Sequence, residues 1–332
     1  MKMTAFSCRK DEEELFAWFG KQYGVEVETT KALPSLENAD LLKGCQAACV
    51  LTNPVDRALI DRWYEHGVRL ISTRTVGYEH VDWRYAGERG VRVTNAAYTP
   101  NTVAEYTVMA ILMTIRKMKI ILNRYISQDF SLRGIRGREL GPMTVGVVGT
   151  GRIGERVIEL LAAFGCRILA YDLYPKEEVR LLADYVSLDT IWKECDLITF
   201  HTPATDETYH MVNRQTLSQM KDGVVLINMA RGSIIETKAL IEGLEKGKVG
   251  AAALDVVEDE GRIYYRDFKE GPTGNHDMAV LSAMPNVLMT PHTAFFTAEA
   301  VSDMVECALL SCVRLLAGEE DPLQVNAALM KR

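Results

Sequence analysis

Residues 145–154 read VGVVGTGRIG, which sets the pattern Gly-x-Gly-x-x-Gly between an apolar run and the helix-period segment Glu155–Phe164. In such a turn Gly149 permits the sharp change of direction, Gly151 lets the backbone approach a pyrophosphate, and Gly154 lets the helix pack closely on the strand. Amide groups at the helix N-terminus attract phosphate. A glycine pattern alone is weak evidence, but this strand–turn–helix context predicts a dinucleotide-binding α/β domain.

An acidic residue ends the next predicted strand. Asp172 lies 18 residues beyond Gly154, close to the spacing of about 20 residues at which such sites place the acid that binds the ribose hydroxyls. A carboxylate accepts hydrogen bonds from those hydroxyls and repels the 2′-phosphate of NADP. Asp172 could instead only cap the turn after its strand. We expect the first role, and with it NAD as the cofactor.

Short apolar runs alternate with helix-period segments along the chain, which is typical of βαβ units around parallel sheets. Six later runs predict buried strands: Thr144–Val148, Arg167–Tyr171, Leu197–His201, Val224–Asn228, Ala251–Asp255 and Val287–Thr290. Three earlier runs, separated by helix-period segments such as Asp56–His66, predict a smaller sheet: Ala47–Thr52, Arg69–Ser72 and Val91–Asn95. Between the two groups, Asn101–Ile126 predicts one long, largely buried helix. The predicted fold class is α/β, with two doubly wound parallel-sheet domains.

The composition is that of a soluble enzyme of two domains, with 332 residues, 48% of them hydrophobic and 25% charged. No apolar run reaches the roughly 18 residues that cross a bilayer, and the charged N-terminus lacks the apolar core of a signal peptide. Seven cysteines without a Cys-x-x-Cys pair indicate reduced thiols rather than disulfides or a metal site. The net charge of −7 disfavours nucleic acid. We expect a cytoplasmic protein that binds no metal, membrane or nucleic acid.

Two of the six histidines lie at or just beyond the ends of predicted strands, where α/β sheets bind their ligands. His292 is the better candidate for a proton donor, and we expect His201 to line the cofactor on its adenosine side. The other four fall in helical or loop contexts: His66, His80, His210 and His276.

A cation and a group of acids also follow predicted strands. Arg231 comes soon after Asn228, and a guanidinium there matches a carboxylate with two parallel hydrogen bonds, although it could also be a surface ion-pair residue. Four acids lie in the segment from Asp255 to Glu260, and their chemistry alone does not show which of them would orient a histidine. A cation, a histidine and an acid beside a dinucleotide suit the reduction of a 2-oxo acid.

These features occur in one order along the chain: the glycine turn with Asp172, Asn228-x-Ala230-Arg231-Gly232, the acids from Asp255 to Glu260, and Pro291-His292. In that order the chain resembles the D-isomer-specific 2-hydroxyacid dehydrogenases over most of its length. Within that family it is most similar to the D-lactate dehydrogenases, including the type found in vancomycin-resistance operons. The gap of 29 residues from Arg231 to Glu260 resembles that of the whole family, and the gap of 32 from Glu260 to His292 resembles the long version found in the D-lactate branch.

The resemblance implies a role for each residue of the substrate site. Arg231 would bind the substrate carboxylate and polarise its carbonyl group. Glu260 would pair with His292, the acid–base residue, and favour its protonated form. Further substrate contacts would come from the earlier domain: Val76, Gly77 and Tyr98.

The resemblance also implies the cofactor contacts. Besides the three glycines and Asp172 they are Arg152, Ile153, Thr202, Pro203, Thr208, Met229, Ala230 and Asp255, the last of them near the nicotinamide. The vancomycin-resistance type often lacks an acid at the position of Asp172 and prefers NADPH. Overall similarity to that type therefore does not decide the coenzyme, and Asp172 favours NAD.

The domain organisation and assembly follow from the same resemblance. Residues 1–99 and 297–332 would form a discontinuous, flavodoxin-like substrate domain, and residues 100–296 would form a Rossmann domain that binds NAD. The apolar helix predicted over Asn101–Ile126 would form the interface of a homodimer.

The implied activity is the NAD-dependent reduction of a 2-oxo acid to its D-2-hydroxy acid, with pyruvate and D-lactate as the first choice. A bulkier branched or aromatic 2-oxo acid is the alternative, although Val50–Pro54, which we expect to face the substrate's R group, contains no large aromatic residue. An NAD(H)-sensing corepressor would share the fold and the same Arg, Glu and His. Such proteins carry a long disordered tail, and this sequence stops soon after Gly318, which disfavours that function.

Overall fold

The computed structural model describes residues 1–330, which divide into two compact units. The first unit joins Met1–Thr99 to the chain from Phe296 onward, and the second spans Pro100–Phe295. Each unit is built on one sheet whose paired strands are parallel. Within residues 1–330, no helix is both long and apolar enough to cross a membrane.

The first unit begins with eight elements: β1 (Lys2–Ala5), α1 (Lys10–Tyr23), β2 (Glu26–Thr29), β3 (Ala47–Val50), α2 (Arg57–Glu65), β4 (Leu70–Thr73), α3 (Trp83–Glu88) and β5 (Arg92–Thr94). The sheet order is β2-β1-β3-β4-β5. Strands β3, β4 and β5 lie where the apolar runs predicted them. The sequence analysis missed β1, α1 and β2, and β2 is mostly exposed, so it lacks the apolar run that marks a buried strand.

The second unit contains fifteen elements: α4 (Asn101–Ile115), α5 (Met118–Ile126), β6 (Thr144–Val148), α6 (Arg152–Ala162), β7 (Arg167–Tyr171), α7 (Glu177–Arg180), β8 (Asp184–Tyr185), α8 (Leu188–Glu194), β9 (Leu197–Phe200), α9 (Arg214–Gln219), β10 (Val224–Asn228), α10 (Thr237–Glu245), β11 (Val249–Leu254), α11 (His276–Ala283) and β12 (Val287–Met289). The sheet order is β12-β11-β10-β9-β6-β7-β8. Chain order reverses on either side of β6, which makes this a doubly wound sheet whose ligands bind at the carboxyl ends of the strands. The six strands predicted for this region are confirmed.

The prediction of one long, largely buried helix over Asn101–Ile126 is wrong. Lys117, with φ of 56°, separates α4 from α5, and no residue of α5 is buried. The backbone carbonyl of Ile115 accepts the N–H of Arg138 at 3.0 Å, and Gly137 packs against the same carbonyl. The returning chain therefore occupies the end of α4, and the helix turns away there.

The chain returns to the first unit through α12 (Ala298–Ala317) and α13 (Ala327–Met330). Helix α12 begins where the Thr297 hydroxyl accepts the N–H of Ala300 at 3.2 Å, and it ends at Gly318, whose φ of 70° suits glycine. It packs on α1 and β4. Its apolar face completes the core of the first unit on the side of Met3, Phe16 and Leu70.

Candidate active site

The predicted cofactor and catalytic residues of the second unit follow the carboxyl ends of its parallel strands. The glycine turn follows β6, Asp172 follows β7, and His201 follows β9. Arg231, the acids from Asp255 and His292 follow β10, β11 and β12. Because all these strands run in one direction, their carboxyl ends lie at one edge of the sheet. Six separate segments thereby place polar groups along the same edge.

The glycine turn after β6 has the geometry that a dinucleotide pyrophosphate requires. Gly149 has φ of 93°, which L side chains rarely adopt. A Cβ on Gly154 would lie 1.9 Å from the carbonyl oxygen of Gly149, so the start of α6 packs directly on the turn. A Cβ on Gly151 would meet no protein atom within 4 Å. Two glycines are thus required by the protein's own packing, and Gly151 leaves the backbone accessible.

Asp172 is held by backbone groups on both sides. Its Oδ2 accepts the N–H of Thr150 at 2.6 Å, and its Oδ1 accepts the N–H of Tyr174 at 2.8 Å. The residue therefore caps the turn after its strand, as one of the two sequence interpretations supposed. It also fixes the glycine turn through Thr150.

The other predicted cofactor residues differ in their burial and in their hydrogen bonds to the rest of the protein. Thr208 closes a turn, because its hydroxyl donates to the carbonyl of Pro203 at 2.7 Å. The buried Thr202 hydroxyl has no hydrogen-bond partner among the described residues. Met229 is buried, and the N–H of Ala230 donates to the side chain of Asn228 at 3.1 Å. Arg152 and Ile153 form the first turn of α6.

His201 bonds within its own strand end, where its Nε2 lies 3.0 Å from the Thr199 hydroxyl. Burial lowers the pKa of His201 to about 3. The imidazole is therefore neutral near pH 7, so His201 is unsuited to donating a proton there.

The acids after β11 take up separate partners. Asp255 is fully buried, and its carboxylate accepts the hydroxyl of Thr290 at 2.5 Å and the N–H groups of Thr293 and Ala294 at 2.8 and 2.9 Å. Because Thr290, Thr293 and Ala294 flank His292, Asp255 fixes the segment that carries the histidine.

Glu260 is the acid that contacts His292. Its Oε1 lies 2.5 Å from Nδ1 of the imidazole, and its Oε2 accepts the N–H of Val257 at 2.7 Å. His292 has a left-handed backbone, with φ of 52°. The N–H of His292 donates to the carbonyl of Asp255 at 2.8 Å, and its carbonyl accepts the Tyr265 hydroxyl at 2.8 Å. The ring and its backbone are thus held from three sides.

Arg231 stands on a loop fixed by a buried amide. The side chain of Asn228 donates to the Arg231 carbonyl at 2.8 Å, and an Arg231 guanidinium nitrogen donates to the carbonyl of Ala230 at 2.8 Å. A Cβ on Gly232 would lie 2.2 Å from the carbonyl carbon and oxygen of Val257. Glycine is therefore required at Gly232, because the loop of Arg231 packs directly on the loop of Glu260.

A second histidine–carboxylate pair was missed by the sequence analysis. Glu258 Oε1 lies 2.7 Å from His210 Nε2, and Glu258 Oε2 accepts both the N–H and the hydroxyl of Thr237, at 2.8 and 2.7 Å. Burial raises the pKa of Glu258, but the hydrogen bonds from His210 and Thr237 outweigh it and leave the pKa below its ordinary value. No sequence signal marks His210, which comes well after the end of β9.

Two of the predicted substrate residues of the first unit, Val76 and Gly77, lie in a well-braced loop after β4. Asn95 donates to the carbonyl of Val76 at 2.7 Å, and the Thr75 hydroxyl donates to the carbonyl of Gly77 at 2.5 Å. Directly before them, the fully buried Arg74 pairs with Glu12 at 2.9 Å. Tyr98 is partly buried in the segment after β5.

Two chemical capacities follow from the second unit. The glycine turn, the helix after it and Asp172 fit a dinucleotide, and His292 with Glu260 forms a pair able to transfer a proton. Among the described residues, no group of three His, Cys, Asp or Glu side chains could hold a metal ion.

Comparison with known proteins gives a family and a set of relatives. Residues 108–294 match a family model described as the NAD-binding domain of D-isomer specific 2-hydroxyacid dehydrogenases. An aromatic 2-oxoacid reductase of Clostridium sporogenes is 40% identical over 94% of this chain and 95% of its own. A D-specific alpha-keto acid dehydrogenase of Enterococcus faecium is 38% identical over 94% of this chain and 96% of its own. The solved structure of a D-lactate dehydrogenase from Treponema pallidum superposes with a TM-score of 0.87 at 33% identity, covering 98% of this chain and 99% of the other.

Proposed function

The chain belongs to the D-isomer-specific 2-hydroxyacid dehydrogenase family, and from that premise we propose that it reduces pyruvate to D-lactate through Arg231, Glu260 and His292. It is an NAD-dependent oxidoreductase that acts on 2-oxo and 2-hydroxy acids. The observation that carries the residue assignment is the contact of 2.5 Å between Glu260 and Nδ1 of His292.

Each residue has a separate task in this proposal. NADH, when bound, supplies the hydride. Arg231 binds the substrate carboxylate with two hydrogen bonds and so fixes the carbonyl carbon. Glu260 occupies Nδ1 of His292, which leaves Nε2 to deliver the proton as negative charge develops on the carbonyl oxygen. Asp255 keeps the segment of His292 in place through its three hydrogen bonds.

The proposed cofactor residues bind the dinucleotide and take no part in the proton transfer. Gly149, Gly151 and Gly154 admit the pyrophosphate to the N-terminus of α6, and Asp172 accepts hydrogen bonds from the ribose hydroxyls. Arg152, Ile153, Thr202, Pro203, Thr208, Met229 and Ala230 line the remainder in this proposal. The buried Thr202 hydroxyl supports it, since that group lacks a protein partner among the described residues. The first unit, with Val76, Gly77 and Tyr98, serves as the substrate domain and the second as the NAD domain.

A second candidate substrate class is an aromatic 2-oxo acid. The 40% identical relative carries the name of an aromatic 2-oxoacid reductase, and a hydrophobic pocket discriminates by only about 1–3 kcal/mol per methylene. Pyruvate stays first because the segment Val50–Pro54 carries no aromatic side chain that would pack on a ring.

The test of substrate class compares kcat/KM for pyruvate, 2-oxoisocaproate and phenylpyruvate with NADH under one condition, together with the configuration of each product. We expect D-lactate and a kcat/KM for pyruvate at least equal to the others. Pyruvate trailing both others by more than tenfold would move the assignment to bulkier acids. An L-product would contradict the reaction itself.

The proposed assembly is a homodimer formed through α5 and the chain after it. Five large apolar side chains within this segment are about half to mostly exposed: Leu122 at 49%, Tyr125 at 70%, Ile126 at 82%, Phe130 at 71% and Leu132 at 84%. The rings of Tyr125 and Phe130 lie 5.7 Å apart, so these two side chains adjoin. Exposed apolar groups that adjoin in this way mark protein–protein contacts.

The test of assembly is light scattering on the double variant Ile126→Asp with Leu132→Asp. We expect the unaltered protein to show twice the chain mass of 37.1 kDa and the variant to approach a single chain mass. Leu181→Asp, at an equally exposed leucine of the second unit, should keep the dimer. A single chain mass for the unaltered protein at micromolar concentration would contradict the proposal.

The proposed location is the cytoplasm. The seven free cysteines support a reducing compartment.

A further inference from the structure

Asp172 is connected to more groups than the two backbone amides that cap it. The hydroxyl of Thr150 lies 3.2 Å from Asp172 Oδ2 and 2.6 Å from the hydroxyl of Tyr185. The hydroxyl of Tyr185 in turn accepts the backbone N–H of Lys176 at 3.1 Å. Thr150 is fully buried, and Tyr185 is partly buried on the short strand β8. Four residues from three segments thereby form one chain of hydrogen bonds, which we call the relay.

The hydrogens of this chain can be counted. Lys176 N–H can only donate, and the Asp172 carboxylate can only accept. Thr150 and Tyr185 each carry one hydroxyl hydrogen. The arrangement that uses both runs from Lys176 N–H to the Tyr185 oxygen, from the Tyr185 O–H to Thr150, and from the Thr150 O–H to Asp172. Tyr185 therefore sets the direction in which Thr150 donates.

We propose that Tyr185, acting through Thr150, is a positioning residue that fixes Asp172 as an acceptor for the ribose diol and so determines the preference for NADH over NADPH. This inference rests on the role of Asp172 given above. A carboxylate held by the Thr150 hydroxyl and two amides keeps one orientation, and its remaining lone pairs can accept hydrogen bonds only from donors. Ribose offers two hydroxyl donors, whereas the 2′-phosphate of NADPH offers negative charge.

The charged side chains around the relay are also consistent with a preference for NADH over NADPH. Lys176, the cation nearest along the chain, has its ammonium paired with Glu155 at 2.7 Å. The guanidinium of Arg180 lies 5.1 Å from the Tyr185 ring centre, over its face. Both cations thus already have partners: Lys176 pairs with Glu155, and Arg180 packs over the ring of Tyr185. Neither has to move for the relay to form.

The test measures the dissociation constants of NADH and NADPH by fluorescence titration without substrate. Tyr185→Phe removes the O–H that orients Thr150 and keeps the ring. We expect the NADH dissociation constant to rise about three- to tenfold, the size of one neutral hydrogen bond, while that of NADPH changes less. Tyr171→Phe, which removes the hydroxyl of the residue before Asp172 and lies outside the relay, should change neither value.

A second pair of variants guards against a folding defect in Tyr185→Phe. Thr150→Val removes the hydroxyl and keeps both the shape and the backbone N–H, and Thr150→Ser keeps the hydroxyl. We expect Thr150→Val to reproduce the loss of preference and Thr150→Ser to retain it. An unchanged preference in both Tyr185→Phe and Thr150→Val would overturn the inference.

The final arm places Tyr185→Phe in an Asp172→Ser background. If Tyr185 acts through Asp172, its effect disappears there, since coupled residues are not additive. An effect of equal size in both backgrounds would overturn the inference. If Asp172→Ser leaves the preference for NADH over NADPH unchanged, the proposed role of Asp172 is wrong. If Asp172→Ser abolishes that preference and Tyr185→Phe does not alter it, only the proposed role of the relay is wrong.

Discussion

The loop after β11 supplies the carboxylates of two histidine–carboxylate pairs that have similar geometry and are proposed to have different roles. The catalytic pair is His292 with Glu260, at 2.5 Å, and the bracing pair is His210 with Glu258, at 2.7 Å. Both histidines have left-handed backbones, with φ of 52° and 48°. Side-chain exposures are also similar, at 26% and 20% for the catalytic pair and 28% and 25% for the bracing pair.

The pairs differ in what else they hold. Glu258 accepts two further hydrogen bonds from Thr237 at the start of α10, so its carboxylate ties three segments together. Glu260 receives one further bond, from Val257 of its own loop. His292 comes three residues after the end of β12 at Met289, whereas His210 comes ten residues after the end of β9 at Phe200. A histidine–carboxylate contact therefore does not identify a proton donor by itself. His292 is assigned because it combines that contact with a position near the end of a strand.

The largest difference between the pairs should appear when each histidine is removed. His292→Ala should lower kcat by about 10²- to 10⁴-fold, the usual contribution of a general acid. His210→Ala should lower kcat by less than about tenfold, because it loosens a brace that also holds Thr237 through Glu258. Steady-state kinetics with NADH and pyruvate check both. Equal losses in the two variants would erase the distinction.

The next effect concerns the contact that couples the two loops. Gly232→Ala places a Cβ 2.2 Å from the Val257 carbonyl and should lower the free energy of unfolding by about 1–3 kcal/mol, as overpacking does. It should also lower kcat/KM, because Arg231 and Glu260 are displaced together. Gly261→Ala is the control, since a Cβ there meets nothing within 4 Å and should change the unfolding energy by less than about 0.5 kcal/mol. Urea denaturation measures both variants.

A smaller effect is expected in the pH dependence of the unfolding free energy, to which the bracing pair contributes through Glu258. The pKa of Glu258 lies below its ordinary value in the folded protein, so its stabilisation is present above the unfolded pKa and is lost as pH falls through the folded one. Glu258→Gln should therefore lower the unfolding free energy by about 1 kcal/mol at pH 7. That difference should shrink below about pH 4.5. A difference that stayed constant from pH 7 to pH 3 would contradict this role of the carboxylate.

Much of the second unit could be predicted from sequence because its signals are local. The glycine turn is enforced by contacts within a few residues, such as that of Gly154 with Gly149. The buried strands are continuous apolar runs, and the residue after each strand end is read off directly. Asp172 shows the limit of such interpretation: capping the turn and accepting from a ribose are compatible, so the alternatives posed from sequence were not exclusive.

The missed features depend on backbone conformation that residue type does not announce. Asp259 has φ of 59°, and this turn lies between Glu258 and Glu260, whose side chains take different histidines. Lys117 has φ of 56° and ends α4, although lysine is a good helix former. Left-handed residues other than glycine are uncommon and are fixed by tertiary contacts. The sequence alone therefore did not show that Glu260 is the acid that contacts His292, or that the helix breaks at Lys117. Both depend on the folded backbone.

The most direct test of the account is kcat for pyruvate reduction, measured at one pH in Glu260→Gln and Glu258→Gln. Glu260 is proposed to hold the imidazole of His292 through Nδ1, so that Nε2 delivers the proton, whereas Glu258 braces the start of α10 through Thr237. The account predicts a clearly larger loss of kcat in Glu260→Gln than in Glu258→Gln. Equal losses, or a larger loss in Glu258→Gln, would contradict it.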